Sequence, residues 1–293
     1  IDLPLLLSLC NNEVRIENAD PLIAMARRHP DDKRPLIAEA KIQFDLGKWG
    51  AAAALLDESL KNHPRYAPAL ALQSRVLFAQ QRDEDFRKVA EMYGDELDPY
   101  PAYWIARGDL ARSQQRDAEA TRVYWEATRR DADAREAWVK LNVSLKRLGS
   151  SRSGLDTQEI HATETRAMQL SRLSELKTSL TRSVHPQRSA AIEIAKTLQR
   201  LGRLWEAEAW ASLATTFADD DTVPVNEVRQ SIIESLRKDT PWQSLKSHPE
   251  LRLDLANLPL PRLSHSDELA TKRISPSETV AAAAGKSTTI ALL

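Results

Sequence analysis

Few residues in this chain have the types and spacing that chemistry needs. Gly285-Lys286-Ser287 ends like a phosphate-cradling loop. That loop needs a glycine five residues earlier, with a strand before it and a helix after. Val280 holds the glycine position, four alanines precede the motif and the chain stops soon after, so the match reads as coincidence. His161 and Glu164, with Glu159 close by, would share a helix face and hold a metal weakly. No third and fourth ligand is near, and the group reads as a solvated polar face. His29 and His63 each precede a proline and read as helix C-terminal residues favoured by the helix dipole. Cys10 lacks a histidine in its sequence context and reads as a small buried apolar residue. Asn142-Val143-Ser144 forms a glycosylation sequon inside an expected helix. No nucleophile, base and orienting group converge. The expectation is therefore a non-enzymatic chain with no cofactor and no metal.

Composition narrows the classes further. The chain has 293 residues, with 41 Lys+Arg against 42 Asp+Glu, a formal net charge of -1. Such a balance gives no bulk attraction to nucleic acid or to an anionic membrane. Only 8 glycines occur, which disfavours glycine-rich loops and sheets full of tight turns. One cysteine excludes an intrachain disulfide framework and zinc sites built on several cysteines. No apolar run approaches the ~18 residues of a membrane span. Residue 1 is Ile, so the numbering is expected to describe a processed chain or an excised piece. Leu3, Leu5, Leu6, Leu7 and Leu9 are taken as part of a first helix and not as a secretory core. The compartment stays open between the bacterial periplasm or exterior and the cytoplasm.

The prolines lead to the architecture. Pro30 and Pro64 lie 34 residues apart, each after His and an apolar helical pattern, and Asp98-Pro99 follows about one period on. Proline stops helices, so a stop recurs at a fixed interval. Aligned on Gly47, Gly108, Gly149 and Gly202, the chain divides into pairs of amphipathic helices of about a dozen residues, apolar at i, i+3, i+4 and i+7. Small residues, Ala40 and Gly108 in first helices and Ala120 and Ala207 in second ones, would let helix backbones cross closely. Trp104, Tyr124 and Trp138 would fill the space between pairs. Seven tryptophans also raise the idea of a stacking surface for sugars or bases. Core packing is the reading for Trp104 and Trp138, while Trp125 and Trp242 are open to partial exposure.

Trp104-x2-Arg107-Gly108-x2-Ala111, followed by Ala120-x3-Tyr124-x2-Ala127, resembles a tetratricopeptide repeat (TPR), with Arg107 in place of the usual Leu. The resemblance covers about residues 33–220 and is weak in 67–98. It implies an all-α, right-handed α-solenoid. The expected organisation is a degenerate first pair at 1–32, repeats at 33–66, 67–100 and 101–134, an irregular repeat at 135–187 with a long second helix capped by Asp156 or Thr157, and a last repeat at 188–220. A capping helix at 221–240 and an extended linker or tail at 241–293 would follow, its 264–293 stretch rich in Ser, Thr and Ala. A second likeness rests on Gly202–Ala207 and on Asp254–Pro261. It is similar to the helical part of bacterial exported proteins in which TPRs precede a calcium-binding β-propeller of the integrin type.

In stacked TPRs the first helices line a concave groove, and offsets 5, 9, 12 and 13 face it. Those offsets here give Lys41, Phe44 and Asp45, then Arg75 and Phe78, Ile105, Asp109 and Arg112, Val139, Lys146 and Arg147, and Lys196 and Arg200. The resemblance thus implies a protein-interaction scaffold that binds a protein or an extended peptide, with Lys41, Arg75, Arg112 and Lys146 supplying charge and Phe44 and Phe78 apolar contact. Positive charge in such a groove would favour an acidic segment. The alternative for the same residues is an ordinary solvated face. The chaperone-type carboxylate clamp needs Lys at offset 5, where Ile37, Ala71, Ile105, Val139 and Ile192 stand. A further reading makes the array a structural spacer in a larger exported protein whose activity lies on another domain. If Trp104 is core, Trp104→Ala should lower unfolding free energy by about 3–5 kcal/mol in a urea titration.

Overall fold

The computed structural model describes residues 32–182, 187–217, 224–236 and 248–261, together with Ala24, Arg28 and His29. The readings made for most of residues 1–31, Cys10, Trp242, Gly285–Ser287 and the 264–293 tail lie outside these residues. All regular structure among the described residues is helical: twelve α-helices and one 3-10 turn. They fall into two compact units.

The first unit holds three hairpins and the segment 256–261. Its helices are α1 (Arg34–Asp45), α2 (Trp49–Asn62), α3 (Ala67–Ala79), α4 (Asp83–Leu97), α5 (Pro101–Ser113) and α6 (Asp117–Arg130). Each first helix opens with proline at its first or second position, Pro35, Pro68 and Pro101, where no intrahelical N–H is needed. Among the second helices, α4 and α6 open with acids, Asp83-Glu84-Asp85 and Asp117 with Glu119, which face the positive end of the dipole. Ala40, Ala52, Leu56, Ala69, Leu72 and Val76 form one continuous cluster spanning α1, α2 and α3. At Gly108 the backbone of α5 meets the Tyr124 ring so closely that any Cβ would collide with it.

The hairpin turns follow a single hydrogen-bond plan. Lys48, Arg82 and Arg116 each donate their backbone N–H to the carbonyl five residues earlier, at Gln43, Leu77 and Ala111, at 2.9–3.0 Å. The residue before each cation is left-handed: Gly47 at φ 73°, Gln81 at 61° and Gln115 at 60°. This is the Schellman closure of a helix C-terminus. These turn residues are 34 apart. Gly108 lies inside α5, so aligning it with Gly47 puts two different positions in one register; the turn equivalents are Gln81 and Gln115.

The second unit holds α7 (Arg135–Leu148), the short α8 (Ser150–Ser153), α9 (Thr157–Arg182), α10 (Arg188–Arg200), α11 (Leu204–Ala214), α12 (Val225–Ser235) and the 3-10 turn Pro249–Arg252. Gly202, at φ 78°, repeats the left-handed turn, with Arg203 donating to the Leu198 carbonyl. Gly149 keeps the 34-residue register but has ψ 161°, so the chain extends instead of reversing. The α8 turn follows, and Asp156 then caps α9 in a reciprocal box. Its carboxylate accepts from Glu159 N–H at 2.7 Å, and the Glu159 carboxylate accepts from Asp156 N–H at 2.9 Å. α9 is 26 residues long. It packs on α7 and also on α10, and α10 and α11 form the next hairpin, against which α12 rests. Trp138, Leu141, Leu145, Ile194, Leu198 and Trp210 are fully or almost fully buried. Each unit is thus a stack of TPR-like hairpins, the packing that characterises an α-solenoid.

A non-glycine residue in the left-handed region is strained by roughly 1–2 kcal/mol. Gln81→Gly and Gln115→Gly should each therefore raise unfolding free energy by up to about 1 kcal/mol, read as a higher thermal midpoint. Gly47→Gln should lower it by a similar amount.

Candidate functional site

Five of the six expected groove residues belong to the first unit. Lys41 is exposed and forms a 2.5 Å ion pair with Asp45 one turn on. Phe44 is half-buried against the α1–α3 core. The Arg75 guanidinium lies 4.7 Å from its ring centroid, with Arg75 only 9% exposed. The fold thus joins Phe44 to Arg75 as a stacked pair. Phe78 follows Arg75 by one turn on α3 and is half-buried, as is Arg112 in the last turn of α5. Lys146 lies in the second unit, exposed, and pairs with Glu164 of α9. Its hydrogen bond holds the Glu164 carboxyl below the ordinary range. His161 adds a 3.7 Å contact to Glu164, and no cluster of three metal-ligating residues occurs among the described residues.

The tryptophans divide by position. Trp104, Trp125, Trp138 and Trp210 are buried, while Trp49 and Trp205, at the starts of α2 and α11, are 37% and 41% exposed. Two of the buried indoles share a device. Trp104 Nε1 donates to the Asp98 carbonyl at 2.8 Å, and Arg130, stacked on that indole, donates to the same oxygen at 3.1 Å. In the second unit Trp138 Nε1 donates to the Ala132 carbonyl at 2.9 Å, with Arg166 donating to it at 3.0 and 2.9 Å and stacked on Trp138. The ring N–H is satisfied, so the rest of each indole can be buried.

A slot of about 370 Å³ opens between α7 and α9, lined by Val139, Asn142 and Val143 on one side and Ala167, Met168 and Ser171 on the other. Val139 and Val143 are 36% and 37% exposed and Met168 is 64% exposed. Glu164, Arg172 and Glu175 complete the lining. The slot follows from the length of α9: the next first helix, α10, packs on α9 and leaves this flank of α7 uncovered.

The second unit also buries a charge cluster that the sequence reading missed. Asp133 bridges Arg166 at 3.3 Å and Arg203 at 3.1 Å. Arg166 reaches Glu250 at 3.2 Å, Arg203 pairs with Glu206, and Lys177 reaches Glu206 at 3.4 Å. All six are under 10% exposed at the side chain, three cations against three anions. A signal was present: Thr163, Arg166, Leu170, Leu173, Lys177 and Leu180 follow a 3-4 spacing, one face of α9. Removing one member of a buried pair leaves an uncompensated charge, at a cost of about 3–5 kcal/mol.

The segment 256–261, lacking regular structure, lies in the first unit beside two arginines. Arg122, stacked 5.0 Å from the Trp125 ring, donates to the carbonyls of Ala256 and of Leu258. Arg107, stacked 4.7 Å from Trp104, donates through Nη2 to the Pro261 carbonyl at 3.1 Å. Burial lowers the Arg107 pKa from its usual value, and burial raises that of the adjacent Tyr103 hydroxyl. Leu258 and Pro261 are buried, and Leu260 between them is 45% exposed.

Fold and surfaces together describe a helical-repeat protein. No protein-family model matches the chain, and no curated protein matches it in sequence. Among solved structures the chain is similar to a thermophilic TPR protein from Thermus thermophilus, at 16% identity and a TM-score of 0.39, over 70% of this chain and 98% of that one.

Glu250 links the buried charge cluster to pH. Burial alone would raise its carboxyl, but hydrogen bonds from His248 and the backbone, with the Arg166 charge, outweigh burial and hold it below 4.5. A depressed carboxylate contributes stability above its unfolded pKa and loses it as pH falls through the folded value. Unfolding free energy should therefore drop on acidification below about pH 4.5, and Glu250→Gln should be less stable at neutral pH with a flatter acid limb in pH-stepped urea titrations.

Proposed function

We propose that this chain is a protein-interaction scaffold that receives an amphipathic helix of a partner protein in the slot between α7 and α9. The slot itself carries the reading: Val139, Val143 and Met168 stand exposed on two facing helices. In the first unit a first helix packs against the next first helix, α1 on α3 and α3 on α5. A partner helix with apolar residues at i, i+3 or i+4 and i+7 would complete α7 in the same way. Lys146 and Glu164 at one end, and Arg172 with Glu175 3.6 Å apart at the other, would form a polar rim of mixed sign. Burying a valine and a methionine there is worth about 1.5–3 kcal/mol each, enough for more than a tenfold change in affinity.

The first-helix face of the first unit, with Lys41, Phe44, Arg75, Phe78 and Arg112, is the proposed second contact, suited to an acidic extended segment. The test is co-purification of the partner from the source organism, with bound proteins quantified by mass spectrometry. Val143→Asp with Met168→Asp should reduce capture at least tenfold while the far-UV circular dichroism is retained; full capture would overturn the slot assignment. Lys41→Glu with Arg112→Glu, measured in parallel, should weaken capture less and make the remainder less salt-sensitive.

A further inference from the structure

Arg107 stands where the repeat pattern calls for leucine, and the helix packing of α5 does not require a cation there. The structure places its guanidinium between two aromatic rings and the carbonyl of Pro261, 154 residues away in sequence. Its Nε is buried with no hydrogen-bond partner. Nε and Nη2 share one edge of the guanidinium, the edge that takes a carboxylate through two parallel hydrogen bonds. Residues 256–261 meet that edge with a single neutral oxygen. Arg122 meanwhile donates to two carbonyls of the same segment, a readout of backbone and not of side-chain identity. Leu258 fills the buried position, and the prolines at 259 and 261 remove N–H donors that a helical face could not have paired. The seated segment is therefore a turn at Ala256–Asn257 that leads into the irregular run Leu258–Pro261 on a helical face, with one strong donor left unmatched.

We propose that the Arg107–Arg122 face of α5 and α6 is a receptor for the C-terminal end of a Leu-Pro peptide, and that residues 256–261 occupy it as a displaceable internal ligand. A chain ending at the position of Pro261 would follow the same backbone path and present a carboxylate to both Nε and Nη2. The site uses neither the offsets of the first-helix groove nor the slot between α7 and α9. Its failure would leave the scaffold reading untouched.

The experiment uses the full chain carrying Leu258→Asp, which removes the buried anchor of the internal segment. The probe is the hexapeptide Ala-Asn-Leu-Pro-Leu-Pro with a fluorophore at its amino end, prepared with a free carboxylate and, separately, as the C-terminal amide. Fluorescence anisotropy should show the acid form binding at least tenfold more tightly than the amide, since a charge-assisted bond is worth more than a neutral one. Adding Arg107→Leu should abolish that difference while leaving circular dichroism unchanged. The unaltered chain should bind the acid form more weakly than the Leu258→Asp chain, because its own segment competes at high effective concentration. Equal affinity for acid and amide, or no binding by a folded Leu258→Asp chain, would overturn the proposal. If Leu258→Asp unfolds the protein, the acid and amide peptides are compared on the unaltered chain by quenching of tryptophan fluorescence at millimolar concentration. The same tenfold preference is then expected, and its absence has the same meaning.

Discussion

A hairpin of two amphipathic helices has more apolar surface than its own two members can cover. Nearly everything in this structure follows from that excess. Ala52 and Leu56 of α2 and Leu72 and Val76 of α3 share one cluster across a repeat boundary, so neither hairpin has a complete core without the other. Such a shared core requires neighbouring hairpins to keep a fixed spacing. The left-handed turns supply it at the closed end of each hairpin. Between the second and third hairpins the indole and the arginine converge on the Asp98 carbonyl, and within the second unit Trp138 and Arg166 converge in the same way on the Ala132 carbonyl.

The second unit departs from this plan where α9 runs on. A long second helix lies between the hairpins it joins, and the space beside it is closed by charge as well as by hydrocarbon. Asp133, Arg166, Lys177, Arg203, Glu206 and Glu250 fill it with matched charge. Matched ions are poor substitutes for a well-packed apolar core in free energy, and losing any one of them leaves its partner buried and uncompensated. The same elongation leaves Val139, Val143 and Met168 uncovered, so the charge cluster and the apolar slot have a common origin in the length of one helix.

Much of the helical architecture was legible because its signals are local. Trp104 and Trp138 stand at matching points of the period, Gly108 announces a close approach, and Asp156 is one of the two residues expected to cap the long helix. The turn residues were not legible, since glutamine carries no sign of a left-handed conformation and Gly108 offers a more conspicuous but mistaken equivalent of Gly47. Register placed Phe44 and Arg75 near one another, but the stacking of one on the other depends on how α1 and α3 approach. A hydropathy pattern treats every charge as polar, whatever its partner, so Arg166 and Lys177 drop out of the apolar stripe of α9 although they share its face. Arg107 was visible as an exception to the repeat pattern, while its reason, a carbonyl 154 positions further on, leaves no trace in the neighbouring sequence.

That last contact has a consequence in time. The ribosome adds residues at about 5–20 per second, so roughly 8–30 s separate the emergence of Arg107 from that of Pro261, 154 positions later. The helices α1–α6 involve contacts of short sequence separation and can fold within that interval. Each newly made molecule thus passes through a period with the guanidiniums of Arg107 and Arg122 already mounted on their tryptophans and the segment that will cover them not yet synthesised.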